Sequence, residues 1–256
     1  MISLCKIKKY LIDSQIYVSF MGTFLAVFFM MKNHYFSRVM IFVVFLTYFS
    51  GYLYTKYQNN KKILHKIIYF NIFTFLLCGG LLIYFYPIET IYKWTAVILI
   101  GLLYDSFFLH YFIRKIPLFK IFYVGFAWAL MNGWLFFKQM DWEIFFISWT
   151  YITALVLPFD IRDINSDKVV TFPKLIGIQN TKYLAYGLIF ISTILAIYHL
   201  DFLFALAFYI AMIFCFLLIY FSEPARPEYY YSFLVESCCG LPFLFLVLLH
   251  YIWELL

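Results

Sequence analysis

Residues 201–221 read DFLFALAFYIAMIFCFLLIYF, and this stretch decides the class of the fold. No charged side chain occurs between Asp201 and Glu223. An α-helix needs about 20 predominantly apolar residues to cross the hydrocarbon core of a bilayer, so the stretch predicts a membrane-spanning helix. Apolar runs of similar length recur along the whole chain, at 14–31, 38–56, 64–86, 92–112, 118–137, 142–159, 182–199, 201–221 and 231–253.

The composition predicts one membrane-embedded body. The chain of 256 residues is 66% hydrophobic and only 12% charged, and the links between the apolar runs are too short to hold a soluble domain. Transmembrane strands are excluded because the runs are too long and lack a two-residue alternation. We therefore predict a single all-α integral membrane domain over residues 1–256, with nine transmembrane helices. The first run is interpreted as a retained helix, since no small-residue cleavage site follows it.

The distribution of basic residues predicts the orientation. With the N-terminus in the cytoplasm and the links on alternating sides, 15 of the 19 Lys and Arg residues fall on the cytoplasmic side. Such a bias is typical of multi-pass proteins of an inner or plasma membrane. The net charge of +6 then reflects orientation and attraction to anionic lipid in the bilayer. Nucleic acid is a poor fit as a partner, because the basic residues are spread over links at the membrane. The sequence indicates no oligomeric state.

Three aspartates lie together in the stretch LPFDIRDINSDKVV, residues 157–170. Asp160, Asp163 and Asp167 would share an arc of about 80° or less on a continuous helix. Carboxylates one turn apart are typical ligands of Mg²⁺, which also accepts phosphate oxygens from a substrate. We therefore predict a magnesium site at the membrane surface and a phosphate-bearing lipid substrate. The alternative is a solvent-facing helix end whose acids pair with Arg162 and Lys168.

Further polar residues fall inside the apolar runs. Asp105 lies near the middle of the fourth run, where a charge is costly, so we expect it to face a cavity or the bundle interior. The alternative is a protonated carboxyl that is hydrogen-bonded between helices, and this interpretation is favoured for Glu236. Trp128 and Asn132 are one turn apart in the fifth run and could line a cavity together, although an interhelical hydrogen bond is the expected role of Asn132.

Two segments resemble a known family. The stretch FDIRDINSDKVVTFPKLIGIQNTK, residues 159–182, resembles the second aspartate-rich motif of the UbiA superfamily of intramembrane prenyltransferases. Asp163 and Asp167 match the DxxxD element of that motif, and KLIG at 174–177 matches the turn that follows it. The stretch YFIRKIPLFKIFYVGFAWA, residues 111–129, resembles the family's link between its fourth and fifth helices.

The resemblance implies a nine-helix UbiA-type bundle around a central cavity that opens to the cytoplasmic side. It also implies Mg²⁺-dependent transfer of a polyprenyl group from its diphosphate to a lipophilic aromatic or quinone-type acceptor in the membrane. The residues that it assigns are Asp160, Asp163 and Asp167 to Mg²⁺, Asp163, Asp167 and Asp105 to catalysis, and Lys56, Arg114, Lys115 and Lys174 to the diphosphate.

The chain departs from the family at the first aspartate-rich motif. The stretch in its place, TYFSGYLYTKYQNNKK at residues 47–62, contains no acid, and none occurs between Asp13 and Glu89. Its lysines are able to bind diphosphate directly as point charges, or they simply mark a cytoplasmic link. Two alternatives therefore stay open. One is a catalytically impaired UbiA-like protein with a lipid-binding or accessory role, and the other is a small polytopic transporter.

Overall fold

The computed structural model describes residues 12–104, 116–167 and 169–255, and within these ranges it contains nine α-helices and no strand. Each helix coincides with one of the nine apolar runs. Six of them are long and apolar enough to cross a membrane, whereas the full count of nine spans stays a prediction. The helices are α1 (Ile16–Lys32), α2 (Arg38–Tyr57), α3 (Lys61–Phe85), α4 (Ile88–Tyr104), α5 (Phe119–Gly133), α6 (Trp142–Arg162), α7 (Phe172–His199), α8 (Phe202–Tyr220) and α9 (Glu236–Leu255), which follows a π-helical turn at Tyr230–Val235.

The links between helices gather at the two ends of the bundle as an alternating topology requires. At one end, Asn33 in the link after α1 donates a hydrogen bond to Asp141 in the link after α5, at 3.4 Å. At the other end, the backbone N–H of Leu118, before α5, donates to the carbonyl of Val170, before α7, at 3.2 Å. Which end faces the cytoplasm stays a prediction.

The helices pack as a ring, because each contacts its neighbour in the chain and α9 returns to pack along α1. Aromatic side chains fill this closing seam. The rings of Tyr17 and Phe233 stack at a centroid distance of 4.8 Å, and the Tyr17 hydroxyl lies 2.5 Å from the hydroxyl of Ser237. Gly240 allows the two helices to approach closely, since a Cβ atom there would lie 2.7 Å from the sulfur of Met21.

Helix α6 is the most enclosed span. In its apolar window 72% of the residues are buried, against 22–39% in the other five candidate spans. Its contact with α5 is tight because Gly125 faces it, where a Cβ atom would lie 2.3 Å from Thr153 Oγ1. Small residues at such contacts let helix backbones approach each other in membranes. Across the same interface Asn132 donates to the Ser148 hydroxyl at 2.7 Å, which confirms the expected interhelical hydrogen bond.

Helices α2, α3 and α4 form a thinner wall on one side of the ring. Large apolar side chains of α3 point outward; Tyr69, Leu76 and Ile83 are 71%, 67% and 69% exposed. In water such a surface would be an aggregation hazard. In a bilayer it is the expected lipid-facing side of a helix, whose backbone polar groups are satisfied internally.

The acid segment after α6 differs from the prediction. Helix α6 ends at Arg162, and Asp163 has non-helical angles (φ −91°, ψ 11°). The prediction that the three aspartates share one face of a continuous helix is therefore wrong. Helix α7 also begins at Phe172, ten residues earlier than its apolar run, and it is kinked at Gly177, where φ is +81°. This positive φ favours glycine and produces the turn expected at KLIG.

Candidate functional site

Two of the three aspartates converge on one lysine. Asp160, in the last turn of α6, is buried, and its Oδ1 accepts a hydrogen bond from Lys120 Nζ at 2.8 Å. The same ammonium lies 3.6 Å from Asp167 Oδ2, in the link after α6. Lys120 belongs to the first turn of α5, so this contact joins α5, the end of α6 and the link. From the sequence, Lys120 was expected only to be one of the interfacial basic residues that orient the chain in the membrane.

Asp163 points elsewhere. Its two carboxylate oxygens accept hydrogen bonds from Nε and an Nη of Arg162, at 2.7 and 2.8 Å. The guanidinium of Arg162 lies over the rings of Phe159 and Tyr231, with its central carbon 5.3 and 5.7 Å from the ring centroids. This geometry combines a two-pronged ion pair with two cation–π contacts. The alternative pairing of an acid with Arg162 is therefore present in the structure.

The other predicted residues are scattered around this end of the bundle. Lys174 donates to the backbone carbonyl of Asp167, and Lys56, at the end of α2, lies 3.3 Å from the carboxylate of Asp13. Both ammonium groups therefore already have an oxygen partner within the protein. Three further residues with predicted roles lie outside the described ranges: Asp105, Arg114 and Lys115.

A small cavity lies against the lysine-bridged acids. It has a volume of about 20 Å³, and Lys120, Asp160, Asp167 and Thr171 contribute to its lining. Within the described part of the chain, Thr171 Oγ1 and Asp167 Oδ2 are buried there without a hydrogen-bond partner. A polar space of this size holds about one water molecule, which would satisfy both oxygens.

The acid segment does not form an open Mg²⁺ site in this arrangement. Asp163 is engaged by Arg162, and the two remaining acids already share an ammonium. Among residues 12–104, 116–167 and 169–255, no three or more His, Cys, Asp or Glu side chains are grouped so that they could hold one metal ion. Mg²⁺ requires near-octahedral oxygen ligands, so Lys120 would have to move before the ion could enter.

A much larger cavity of about 530 Å³ lies inside the thin wall, between helices α2, α3, α4 and α5. Its lining is mainly apolar and aromatic, and includes Tyr48, Trp94 and Trp128. The prediction that Trp128 lines a cavity is confirmed, whereas Asn132 is committed to Ser148. Volume and lining are typical of a pocket for a lipophilic small molecule.

The large cavity offers a few polar atoms and a side opening. The hydroxyl of Tyr48 and the carbonyl oxygen of Asn71 are buried there, and neither has a hydrogen-bond partner among the described residues. Ile72 and Leu76 line the cavity and are also 52% and 67% exposed. The cavity thus reaches the lipid-facing side of α3.

The two cavities are neighbours along α5. Lys120 lines the small one, and Tyr123, one helical turn later, lines the large one. The ring of Tyr123 stacks on that of Tyr104 at a centroid distance of 5.9 Å, and its hydroxyl donates to the carbonyl of Ile100. The lysine-bridged acids therefore lie about one turn of α5 from the lining of the aromatic cavity.

Comparison with known proteins supports the fold. No family model and no curated protein matches the sequence. A solved structure described as a digeranylgeranylglyceryl phosphate synthase in membranes superposes with a TM-score of 0.57 over 95% of this chain and 97% of that one, at 16% sequence identity. The two chains share a fold. The all-helical membrane architecture predicted from the sequence is confirmed at this level.

The acid-free stretch 47–62, where the sequence resemblance places a first aspartate-rich motif, contributes to the large cavity. Among its residues, Ser50, Gly51 and Tyr54 line that cavity. Besides Asp13, which contacts Lys56 of this stretch, a second acid is nearby: Glu236 at the start of α9 is half-buried and within electrostatic range of Arg162 and Lys56. Nothing in the sequence shows this proximity, because Glu236 lies 74 positions after Arg162 in the chain.

Proposed function

We propose that this chain binds a polyprenyl diphosphate and transfers its prenyl group to a lipophilic aromatic acceptor within the membrane. The observation that carries the proposal is the aromatic cavity of about 530 Å³ in a bundle with the fold of a membrane-embedded synthase, one helical turn along α5 from Lys120. The prenyl chain and the acceptor would occupy this cavity, and the diphosphate would lie among the basic residues at its edge.

The chain supplies three elements of such a reaction. When the carbon–oxygen bond to the diphosphate breaks, its electron pair leaves with the diphosphate and an allylic cation remains. The faces of Tyr48, Trp94 and Trp128 are suited to stabilise that cation until the acceptor carbon attacks it and loses a proton. Lys56, which follows the cavity-lining Thr55 and lies 3.3 Å from Asp13, would exchange that acid for the departing diphosphate and stabilise it. The enclosing helices keep water from intercepting the cation.

Mg²⁺ dependence stays a prediction from the sequence. The Asp160, Asp163 and Asp167 carboxylates face Lys120 and Arg162, so this arrangement does not fit the ion and no step of the proposed reaction is assigned to it. The roles of Asp105, Arg114 and Lys115 likewise stay predictions.

A second candidate function is binding of a prenyl lipid without turnover. The acid-free stretch 47–62 and the lysine-bridged acids favour it, since both reduce the capacity to polarise a diphosphate with metal. The cavity would then bind or present the lipid.

One experiment separates the two functions. The full chain, purified into lipid nanodiscs, is mixed with prenyl diphosphates of increasing chain length, with the prenyl group and the diphosphate labelled separately. Release of pyrophosphate with transfer of prenyl label to an aromatic acceptor supports the enzyme. Saturable binding without release supports the lipid-binding protein. If no prenyl diphosphate binds more tightly than a farnesol-type alcohol, the enzyme proposal is wrong, and if neither ligand binds saturably, both proposals are wrong.

A further inference from the structure

The ammonium of Lys120 lies between two carboxylates that would otherwise repel each other. Nζ is 2.8 Å from Asp160 Oδ1 and 3.6 Å from Asp167 Oδ2, and the side chains of these acids are only 2% and 20% exposed. Two acids in such a poorly solvated place cannot both stay charged without a cation between them. Helix α5 provides that cation from a position 40 residues before Asp160.

The surroundings hold this lysine in place. Its stem enters next to Leu118, whose backbone N–H bonds Val170 and ties the start of α5 to the link before α7. Thr171, 4% exposed, lines the same small cavity, and its buried hydroxyl makes no hydrogen bond to any described residue. Lysine, acids and threonine therefore form one buried polar unit at the end of α6.

We propose that Lys120 is the resident cation of this unit and occupies the place that a divalent metal would need, so that the Asp160–Asp167 pair is closed without metal. Two carboxylates and one ammonium leave a single negative charge, and Asp163 is neutralised separately by Arg162. A divalent cation would meet an ammonium that already donates to Asp160 Oδ1 and forms an ion pair with Asp167 Oδ2 at 3.6 Å. The link between α6 and α7 is consequently held against α5 in metal-free protein. The inference does not depend on the proposed function.

The test uses Mn²⁺ as a spectroscopic probe for a site of oxygen ligands. The full chain in zwitterionic nanodiscs, without any prenyl substrate, is titrated with Mn²⁺ and followed by electron paramagnetic resonance. The wild type is expected to bind no stoichiometric Mn²⁺. Lys120→Met, which removes the charge and keeps a flexible stem, is expected to bind one Mn²⁺ per chain, competed by Mg²⁺, and to lose it again in Lys120→Met/Asp167→Asn. Lys66→Met, a change of an exposed lysine on α3, is the matched control and should behave as wild type.

Each outcome decides the inference. A wild-type site that disappears in Asp160→Asn or Asp167→Asn would overturn it, and so would a folded Lys120→Met protein that binds no Mn²⁺. If Lys120→Met can be purified only with Mg²⁺ in the buffer, the metal has replaced the lysine and the inference is supported. If it cannot be recovered with or without Mg²⁺, the lysine is not exchangeable for a metal and the inference is wrong.

Discussion

At the scale of single residues, Asp160 and Asp163 show how one helical turn can separate two roles. Asp160 is the third residue from the end of α6 and faces inward to Lys120, whereas Asp163 is the first residue after the helix and turns to Arg162. Removing one member of a buried ion pair leaves the other charged and poorly solvated. The two acids should therefore differ strongly in their contribution to stability.

We predict that Asp160→Asn lowers the free energy of unfolding by about 3 kcal/mol, because the poorly solvated ammonium of Lys120 loses its closer partner and keeps only Asp167 at 3.6 Å. Asp163→Asn is the matched control at an ion pair that is 29% exposed, and should cost about 1 kcal/mol or less. Denaturation of both variants in mixed micelles measures the difference. Equal losses would contradict the buried role of Asp160.

The residue-level prediction from sequence was partly wrong for a physical reason. Spacings of three and four place side chains on one helical face only while the helix continues. Neither a glycine nor a proline follows Arg162 to mark the end of α6, so the change at Asp163 could not be foreseen. The contact of Lys120 with Asp160 is likewise a product of tertiary packing. Periodicity reports on neighbours within one helix and carries no information about such a pair.

At the scale of helices, the sequence was a good guide. The lengths of the apolar runs alone located all nine helices of the described residues. Backbone N–H and C=O groups find no water in the bilayer core, and a helix satisfies them within the run itself. The apolar run did not locate the start of α7. This helix begins within a polar stretch, with Thr171 as its N-cap and Pro173 in its first turn. Proline in the first turn is favourable for a helix, and the positive φ of Gly177 then redirects it.

The contact between α5 and α6 depends on the absence of a side chain at Gly125. A Cβ atom there would lie 2.3 Å from Thr153 Oγ1 and 2.9 Å from the carbonyl oxygen of Trp149. We predict that Gly125→Ala lowers stability by about 1–3 kcal/mol through overpacking. In Gly187→Ala the new methyl group meets no described atom within 4 Å, so no loss is expected there. Thermal unfolding of the two variants makes the comparison, and an unperturbed Gly125→Ala protein would show that the two helices are less closely packed.

At the scale of the whole molecule, enclosure is unequal around the ring. Helix α6 is largely buried, whereas α2 and α3 each have only 22% of their apolar window buried and border the large cavity. Apolar contacts that would otherwise stabilise the α2–α5 side are replaced by an empty volume. An empty cavity lowers the stability of a folded protein. A preformed cavity of this kind is expected where a ligand binds.

Filling the cavity should remove binding while leaving the bundle intact. Ala127, on α5, lines the cavity and is half-buried. We predict that Ala127→Trp weakens binding of a prenyl diphosphate by about tenfold or more, equivalent to about 1.4 kcal/mol, without lowering the unfolding temperature. Ile83→Trp, on the lipid-facing side of α3, should leave binding unchanged. Filter binding of labelled ligand to nanodiscs measures both, and unaltered affinity in Ala127→Trp would place the ligand elsewhere.

The seam between α1 and α9 has a consequence for biosynthesis. Translation delivers α1 to the translocon first and α9 last, yet the two are partners through Tyr17, Phe233 and Gly240. During most of synthesis the nascent bundle is therefore an open arc whose leading edge has no neighbour and is exposed to lipid or to a chaperone. Completion of the ring must wait until the ribosome has released the closing helix.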